Sequence, residues 1–375
     1  MTVVGVPSEI KPDEYRVGLT PAGVRELVAR GHRVVVQAGA GDGSAIGDAD
    51  YVAQGATIAP GADEVFATTD LVVKVKEPQP VEVARLRPGQ VLFAYLHLAP
   101  DQALTSGLLA SGATCIAYET VTDRAGRLPL LAPMSEVAGK IATQAGAYML
   151  AKPFGGRGVL LGGVPGVFPG RVMVIGGGVV GQNAAEIALG MGAQVYVLDR
   201  NVDRLRELEI SLGGRAATVY ASTLTVEQLL PEVDLVIGAV LVQGATAPRV
   251  ITREQLRLMK SNAVLVDVAI DQGGCFETSR ATTHSDPTYE VEGVTHYCVA
   301  NMPGAVPITS TYALTNATLP YVLRLCDDGV NAALTADPGF LNGLATVSGH
   351  LTSEPVALDQ QLDWLPPARA LDAVA

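Results

Sequence analysis

Short apolar runs bounded by glycine, proline and polar residues alternate along this chain with stretches whose apolar positions recur at helical spacing. Residues 2–6 and 33–37 read as strands, residues 71–76 as a third stopped by Pro78, and residues 91–96 and 114–118 as two more. Between the first two, Thr20 followed by Pro21 opens a helix with an N-cap oxygen and a proline in its first turn, and Gly31 ends it. Residues 48–55 read as a short helix. Strands alternating with helices argue for a mostly parallel sheet. The stretch 128–133 (Leu-Pro-Leu-Leu-Ala-Pro) breaks the alternation and marks a crossing into a second domain. A long helix over 135–152 and a glycine-rich loop over 155–170 follow. The alternation resumes at Arg171 and lasts to about Tyr297. After Pro303 and Pro307, residues 311–327 are apolar at helical spacing and return the chain to the first domain. The tail beyond Pro355 carries no readable pattern, and no solenoid-type repeat is present.

The predicted architecture is therefore α/β, with two Rossmann-like domains, each a mostly parallel sheet flanked by helices, and a cleft between them. The first domain takes residues 1–128 with 308–375, and the dinucleotide-binding domain takes residues 129–307. A chain of 375 residues is long enough for two separate cores. Its composition, 48% hydrophobic and 17% charged, argues against disorder. The net charge of −12 makes counterion release from a nucleic-acid backbone an improbable source of binding, so no nucleic-acid partner is expected. Cys115, Cys275, Cys298 and Cys326 show no paired spacing, which points to inert thiols in a reducing compartment rather than disulfides or zinc. No stretch reaches the roughly 18 apolar residues that would span a bilayer, and the N-terminus lacks a basic leader. A cytoplasmic protein without a membrane partner is the expectation.

The strongest chemical signal begins at residues 171–175, an apolar strand that runs directly into Gly176-Gly177-Gly178-Val179-Val180-Gly181. An alanine-rich helix over 182–190 follows, and then a strand over 194–198 ending in Asp199. Gly176 permits the tight turn, Gly178 lets the backbone approach a pyrophosphate, and Gly181 allows close helix–strand packing. The helix N-terminus supplies unpaired N–H groups for phosphates. A carboxylate at Asp199 accepts from an adenosine ribose and repels a 2′-phosphate, which favours NAD over NADP. Arg200 and Arg204 stand nearby as the opposing consideration. Residues 234–240 and 263–271 read as later strands of the same sheet. Because ligands bind at the carboxyl ends of such strands, Val240, Leu241 and the run Val268, Ala269, Ile270 and Asp271 are placed to wall the nicotinamide end.

Three polar residues of the first domain sit at or near the ends of apolar runs: Arg16 before the first helix, Lys76 closing residues 71–76, and His97 after residues 91–96. Singly, each has an ordinary reading as a solvated strand end, a surface charge or a hydrogen-bonded core histidine. Beside a nicotinamide site they suit one task. A 2-oxo or 2-amino acid needs a planar guanidinium for its carboxylate, a cation to polarise its carbonyl, and a proton carrier near neutral pH. Asp271, ending a strand of the other domain, supplies a second group for charge or protons.

These segments resemble the alanine dehydrogenase family over nearly the whole chain. The likeness is carried by Arg16-Val17 with residues 20–24, residues 74–78, Leu96-His97-Leu98, Tyr118-Glu119-Thr120, residues 131–139 and 162–167, and later by residues 266–274 and 301–307. The resemblance implies reversible oxidative deamination of L-alanine to pyruvate and ammonia with NAD, in a homohexamer. It implies that Arg16 holds the substrate carboxylate and that Lys76 binds and polarises the substrate. His97 would be the general acid/base, with Asp271 as second proton-handling residue. Ser135, Val179, Val180, Asp199, Arg204, Val240, Leu241, Arg280 and the run Val299, Ala300, Asn301 and Met302 match cofactor-contacting positions. Ala221 stands where relatives commonly have a serine. Arg324 and Asp328 do not reproduce a Glu and His pair that holds a divalent ion in some relatives, so no metal is expected. The nearest rival is the NAD-binding subunit of a proton-translocating transhydrogenase, which generally lacks an equivalent of His97 and has glutamine at the position of Asp271. Two further rivals are a lysine-pathway dehydrogenase of related fold and a catalytically silent NAD sensor.

Overall fold

The computed structural model describes residues 1–240 and 247–373. The chain divides into two compact units, Met1–Met134 with Val306–Ala375, and Ser135–Ala305. Among the described residues, fifteen strands form one sheet of eight and one of seven.

The first unit contains β1 (Val3–Val6), β2 (Arg33–Gln37), β3 (Thr57–Ala59), β4 (Leu71–Val73), β5 (Val91–Ala94) and β6 (Thr114–Ala117). These are parallel throughout, in the order β6-β5-β4-β1-β2-β3. β4 and β5 are buried along their whole length, as strands covered by helices on both faces must be. Thr20 caps the helix Pro21–Ala29 through its side-chain oxygen, which accepts from the Gly23 N–H, and Pro21 occupies the first turn. Phe66, Leu92, Leu96, Leu104 and Leu108 belong to one apolar cluster beneath this sheet.

The second unit follows the element order β7 (Arg171–Ile175), β8 (Gln194–Asp199), β9 (Ala217–Tyr220), β10 (Leu235–Gly238), β11 (Val264–Asp267), β12 (Thr288–Val291) and β13 (Val294–Tyr297). Its sheet runs β12-β13-β11-β10-β7-β8-β9, parallel except for the antiparallel pair β12–β13. From β9 inward, this is the strand order of doubly wound dinucleotide-binding sheets, and it reverses at β7. Met173, Leu198, Val236, Leu265 and Phe276 fill the core on one face. No helix among the described residues is long and apolar enough to cross a membrane. The four cysteines are free and buried.

Two expectations from the sequence are corrected. Residues 74–76 do not extend β4, because the Val75 and Lys76 N–H groups donate to Glu9 rather than to a neighbouring strand, and the Lys74 side chain is buried. Its Nζ lies 2.7 Å from Glu82 Oε1 and 3.2 Å from Glu9 Oε2. Residues 268–271 are not strand either: β11 stops at Asp267, whose carboxylate accepts from the Ala269 and Cys275 N–H groups and folds Val268–Gln272 into a 3-10 turn. Asp271 thus lies on that turn rather than at a strand end. The C-terminal part of the chain, whose sequence carries no readable pattern beyond Pro355, adds further elements. β14 (Leu344–Val347) pairs antiparallel with β6, β15 (His350–Leu351) pairs with β14, and the helices Glu354–Gln360 and Pro367–Asp372 follow. Short strands flanked by glycine carry too few residues to register as a period of two.

Lys74 is fully buried, and burial pulls its proton affinity down, but the charges of Glu9 and Glu82 outweigh burial and hold it above the ordinary lysine value. Removing one partner of a buried charge cluster leaves the others uncompensated. Lys74→Met is therefore expected to lower the urea-unfolding free energy by about 3–5 kcal/mol. A loss near zero would show that the cluster does not hold this part of the sheet.

Candidate active site

The turn after β7 sits where the second sheet reverses its order, between β8 and β10. Its glycines are there for space. Gly176 has φ +103°, and a Cβ on it would stand 2.5 Å from the Ala239 carbonyl oxygen. A Cβ on Gly181 would stand 1.8 Å from the Gly176 carbonyl oxygen, so only glycine lets the helix Val179–Gly190 start this close to the turn. Gly178, the N-cap of that helix, has the opposite surroundings. Nothing lies within 4 Å of its Cβ position, and no side chain caps the helix. An uncapped helix N-terminus facing an opening that a Cβ would fill suits a pyrophosphate. The residues present fit a dinucleotide.

Asp199 closes the turn from β8. Its Oδ2 accepts from the Gly177 N–H at 2.6 Å and its Oδ1 from the Asn201 N–H at 2.8 Å. Arg204 braces the same turn, with Nε donating to the Gly177 carbonyl at 2.7 Å, Nη2 to Gln182 Oε1 at 2.6 Å and Nη1 to Glu207 Oε2 at 2.8 Å. Its guanidinium is thus engaged by the protein itself.

The remaining expected cofactor positions spread around the second unit. Ser135 is half-buried in the first turn of the helix Ala132–Met149. Val179 is exposed and Val180 buried at the start of the dinucleotide helix. Val240 is half-buried just past β10, and Leu241 lies outside the described residues. Val268, Ala269 and Ile270 form the 3-10 turn at the carboxyl end of β11, where Asp271 is exposed. The Arg280 guanidinium lies 4.0 Å over the Tyr289 ring. Val299 and Met302 are buried, the Ala300 N–H donates to the Thr282 carbonyl, and Asn301 adopts φ +59°.

In the first unit, Arg16, Lys76 and His97 are gathered by shared neighbours. Arg16 is buried, and its Nε and Nη2 donate to Glu14 Oε1 and Oε2 at 2.6 and 2.5 Å, while Nη1 donates to Met134 Sδ. Burial opposes the charge, but the bond and charge of Glu14 prevail and hold the guanidinium above its ordinary value. Lys76 is buried. The backbone N–H groups of Val75 and Lys76 both donate to Glu9, at 2.7 and 3.4 Å. Burial raises the Glu9 carboxyl, against the opposing pull of Lys74 and the Val75 N–H.

His97 has the most constrained backbone of the three. It takes φ +48°, a left-handed conformation that ordinary residues avoid. Glu119 stabilises it by accepting from the consecutive N–H groups of Leu96 (3.1 Å) and His97 (2.7 Å). The His97 ring stacks on Tyr95, 5.7 Å between centroids, and the Tyr95 hydroxyl donates to the Leu130 carbonyl. Its Nδ1 lies 3.2 Å from Glu77 Oε2, and Glu77 Oε1 pairs with Lys11. Burial alone would raise the Glu77 carboxyl, but the hydrogen bond and charge of His97, together with Lys11, hold it far below the usual carboxylate range.

The expectation from sequence found the three bases but not the acids that hold them. Glu14 stands two residues before Arg16, and Glu77 directly after Lys76, yet neither spacing carries a periodic signal. Glu9 and Glu119 come from separate segments and meet their partners only through the fold. Arg324, considered for an ion site, instead pairs with Asp337 at 2.8 Å.

The glycines permit a direct comparison. Gly178→Ala should fold with native thermal stability and bind NADH on the order of tenfold or more weakly, because its methyl enters the open cradle. Gly181→Ala should lose both stability and binding. Native NADH affinity in Gly178→Ala, read by fluorescence titration, would contradict this placement of the pyrophosphate.

Residues 5–138 match the family described as Alanine dehydrogenase/PNT, N-terminal domain, and residues 142–354 match Alanine dehydrogenase/PNT, C-terminal domain. The chain is 57% identical over 369 residues to an alanine dehydrogenase of Mycolicibacterium smegmatis, covering 98% of this chain and 100% of that one. It is 60% identical over 354 residues to an alanine dehydrogenase of Halomonas elongata, covering 94% and 95%. A solved L-alanine dehydrogenase superposes with a TM-score of 0.92 at 49% identity, covering 96% of this chain and 99% of that one. A transhydrogenase structure from Sinorhizobium meliloti superposes with 0.79 at 27% identity, covering 94% and 99%. With both family domains matched in order on two doubly wound units, the chain belongs to the alanine dehydrogenase/PNT family.

Proposed function

We propose that this protein is an NAD-dependent L-alanine dehydrogenase, catalysing the reversible conversion of L-alanine, NAD and water to pyruvate, ammonia, NADH and a proton. The observation that carries the reading is His97, held in a left-handed backbone by Glu119 with its ring on Glu77, in the same unit as buried Arg16 and Lys76. A histidine placed at such conformational cost suits proton transfer better than packing. Asp199 favours NAD over NADP, because a ribose 2′-phosphate would meet a carboxylate anchored to the turn, while Arg204 is engaged elsewhere.

Bound NAD supplies the hydride acceptor. The first unit's residues prepare the amino acid. Arg16, already paired with Glu14, holds the substrate carboxylate, and Lys76 polarises the group at Cα. As the Cα–H bond breaks, an iminium forms on the substrate. His97 takes a proton from the water that attacks it and returns one to the departing amine, with Asp271 as a second proton carrier. Hydride transfer needs the substrate Cα and the nicotinamide in near contact. Six copies per assembly and a cytoplasmic location complete the proposal.

A second reading, a transhydrogenase component, is favoured by the Sinorhizobium meliloti superposition. One assay separates the two. NADH oxidation with ammonia and a panel of 2-oxo acids should proceed with pyruvate well above 2-oxoglutarate, and with NADH on the order of tenfold or more above NADPH. His97→Ala should keep NADH affinity and lose about two to four orders of magnitude in turnover. No oxidation with any 2-oxo acid would favour the transhydrogenase reading, and native turnover in His97→Ala would remove His97 from the chemistry.

A further inference from the structure

We propose that Glu77, braced by Lys11, is the positioning residue for His97, fixing the imidazole with its proton on Nδ1 and Nε2 turned to the substrate. The inference rests on His97 being the proton carrier. Its basis is the geometry around the ring. Glu77 is half-buried, with 13% of its side chain exposed, and its two oxygens divide their work: Oε1 pairs with Lys11 and Oε2 lies 3.2 Å from His97 Nδ1. The shift of the Glu77 carboxyl far below the usual range means it is ionised at neutral pH and can only accept. Nδ1 must then carry the hydrogen of that bond. In the neutral ring this leaves the lone pair on Nε2, which makes no hydrogen bond among the described residues.

The backbone enforces the same arrangement. Pro78 follows Glu77 and restricts it to extended conformations, which limits where its carboxylate can point. Glu119 fixes the His97 backbone and Tyr95 stacks on the ring with centroids 5.7 Å apart and 25° between planes, so the remaining freedom is the turn about Cβ–Cγ that exchanges Nδ1 with the opposite ring edge. Glu77 removes that freedom. It also faces the positive charge that appears when Nε2 takes a proton from the attacking water. No proton needs to move to Glu77 for this. The proton balance stays between Nε2, the water and the leaving amine, and the carboxylate acts through orientation and charge.

The measurement is steady-state reductive amination of pyruvate by the full-length protein, combined in a double-mutant cycle. Glu77→Gln keeps the shape but loses the charge and the acceptor-only character. It is expected to lower kcat by about 10–100-fold while leaving KM for pyruvate and affinity for NADH within about a factor of three. In a His97→Ala background the same substitution should change kcat little, because there is no ring left to orient. A carboxylate that merely supported the loop would lower activity by the same factor in both backgrounds, and that outcome would overturn the proposal, as would a native kcat in Glu77→Gln. Should Glu77→Gln fail to fold, Glu77→Asp retains the charge but draws it back from Nδ1. A reduced kcat at unchanged KM supports the proposal there, and a native kcat overturns it. If His97→Ala alone turns over normally, the proton-carrier reading fails first, a result distinct from a failure of Glu77.

Discussion

Parallel strands end with backbone N–H groups that have lost their ladder partners, and in this protein buried or half-buried carboxylates accept such groups. Glu9 takes the N–H groups of Val75 and Lys76 beyond β4. Glu119 takes those of Leu96 and His97 beyond β5. Asp199, ending β8, takes those of Gly177 and Asn201, and Asp267, ending β11, takes those of Ala269 and Cys275. A buried N–H without an acceptor is costly, and a carboxylate can satisfy two or three at once. The device recurs in both sheets, and in each case it shapes a segment that carries a proposed site residue. Glu9 sets the path of Lys76, Glu119 holds His97 left-handed, Asp199 closes the glycine turn, and Asp267 bends the chain into the turn bearing Asp271. Burial raises the Asp267 carboxyl against the hydrogen bonds of Ser279 and Cys275.

The glycine turn was legible in the sequence because its constraint is steric and local. Gly176 and Gly181 sit where a single Cβ would strike backbone, so the spacing records the geometry. Strand and helix identities were mostly legible for the same reason, since apolar runs and the cap at Thr20 report burial and turn geometry residue by residue. The acids were not. Glu9, Glu77 and Glu119 are separated in the chain, and nothing in their neighbours distinguishes a carboxylate that accepts buried N–H groups from one in solvent. The same limit affected Lys74 and Lys76. Both follow the apolar run of β4, but only the fold shows that Lys74 is tied to Glu9 and Glu82. The run 263–271 read as one strand because it is apolar throughout most of its length, and Asp267 breaks it through side-chain bonds that periodicity does not register.

Arg16 is held more tightly than its place in the sequence suggests. A guanidinium expected to grip a substrate carboxylate is already bound along its Nε and Nη2 by Glu14. The pair is buried, so Glu14 is part of what keeps a cation stable there before any substrate arrives. The first unit, proposed to bind the substrate, thus holds a set of bases, each in contact with an acid: Arg16 with Glu14, Lys76 through its backbone with Glu9, and His97 with Glu77 and Glu119. The second unit differs, presenting an uncapped helix end at Gly178 beside the carboxylate of Asp199. On the proposed reading, the first suits a small zwitterion or 2-oxo acid and the second a nicotinamide dinucleotide, the two reactants of an amino-acid dehydrogenase.

Direct transfer of the Cα hydrogen from alanine to the nicotinamide is the step on which the assignment of both units depends. Incubating the protein with L-alanine deuterated at Cα and unlabelled NAD, then analysing the NADH by mass spectrometry, tests it. One deuterium per NADH formed is expected, with a slowed turnover where hydride transfer limits the rate. NADH that carries no deuterium, or no NADH from alanine at all, would contradict direct transfer.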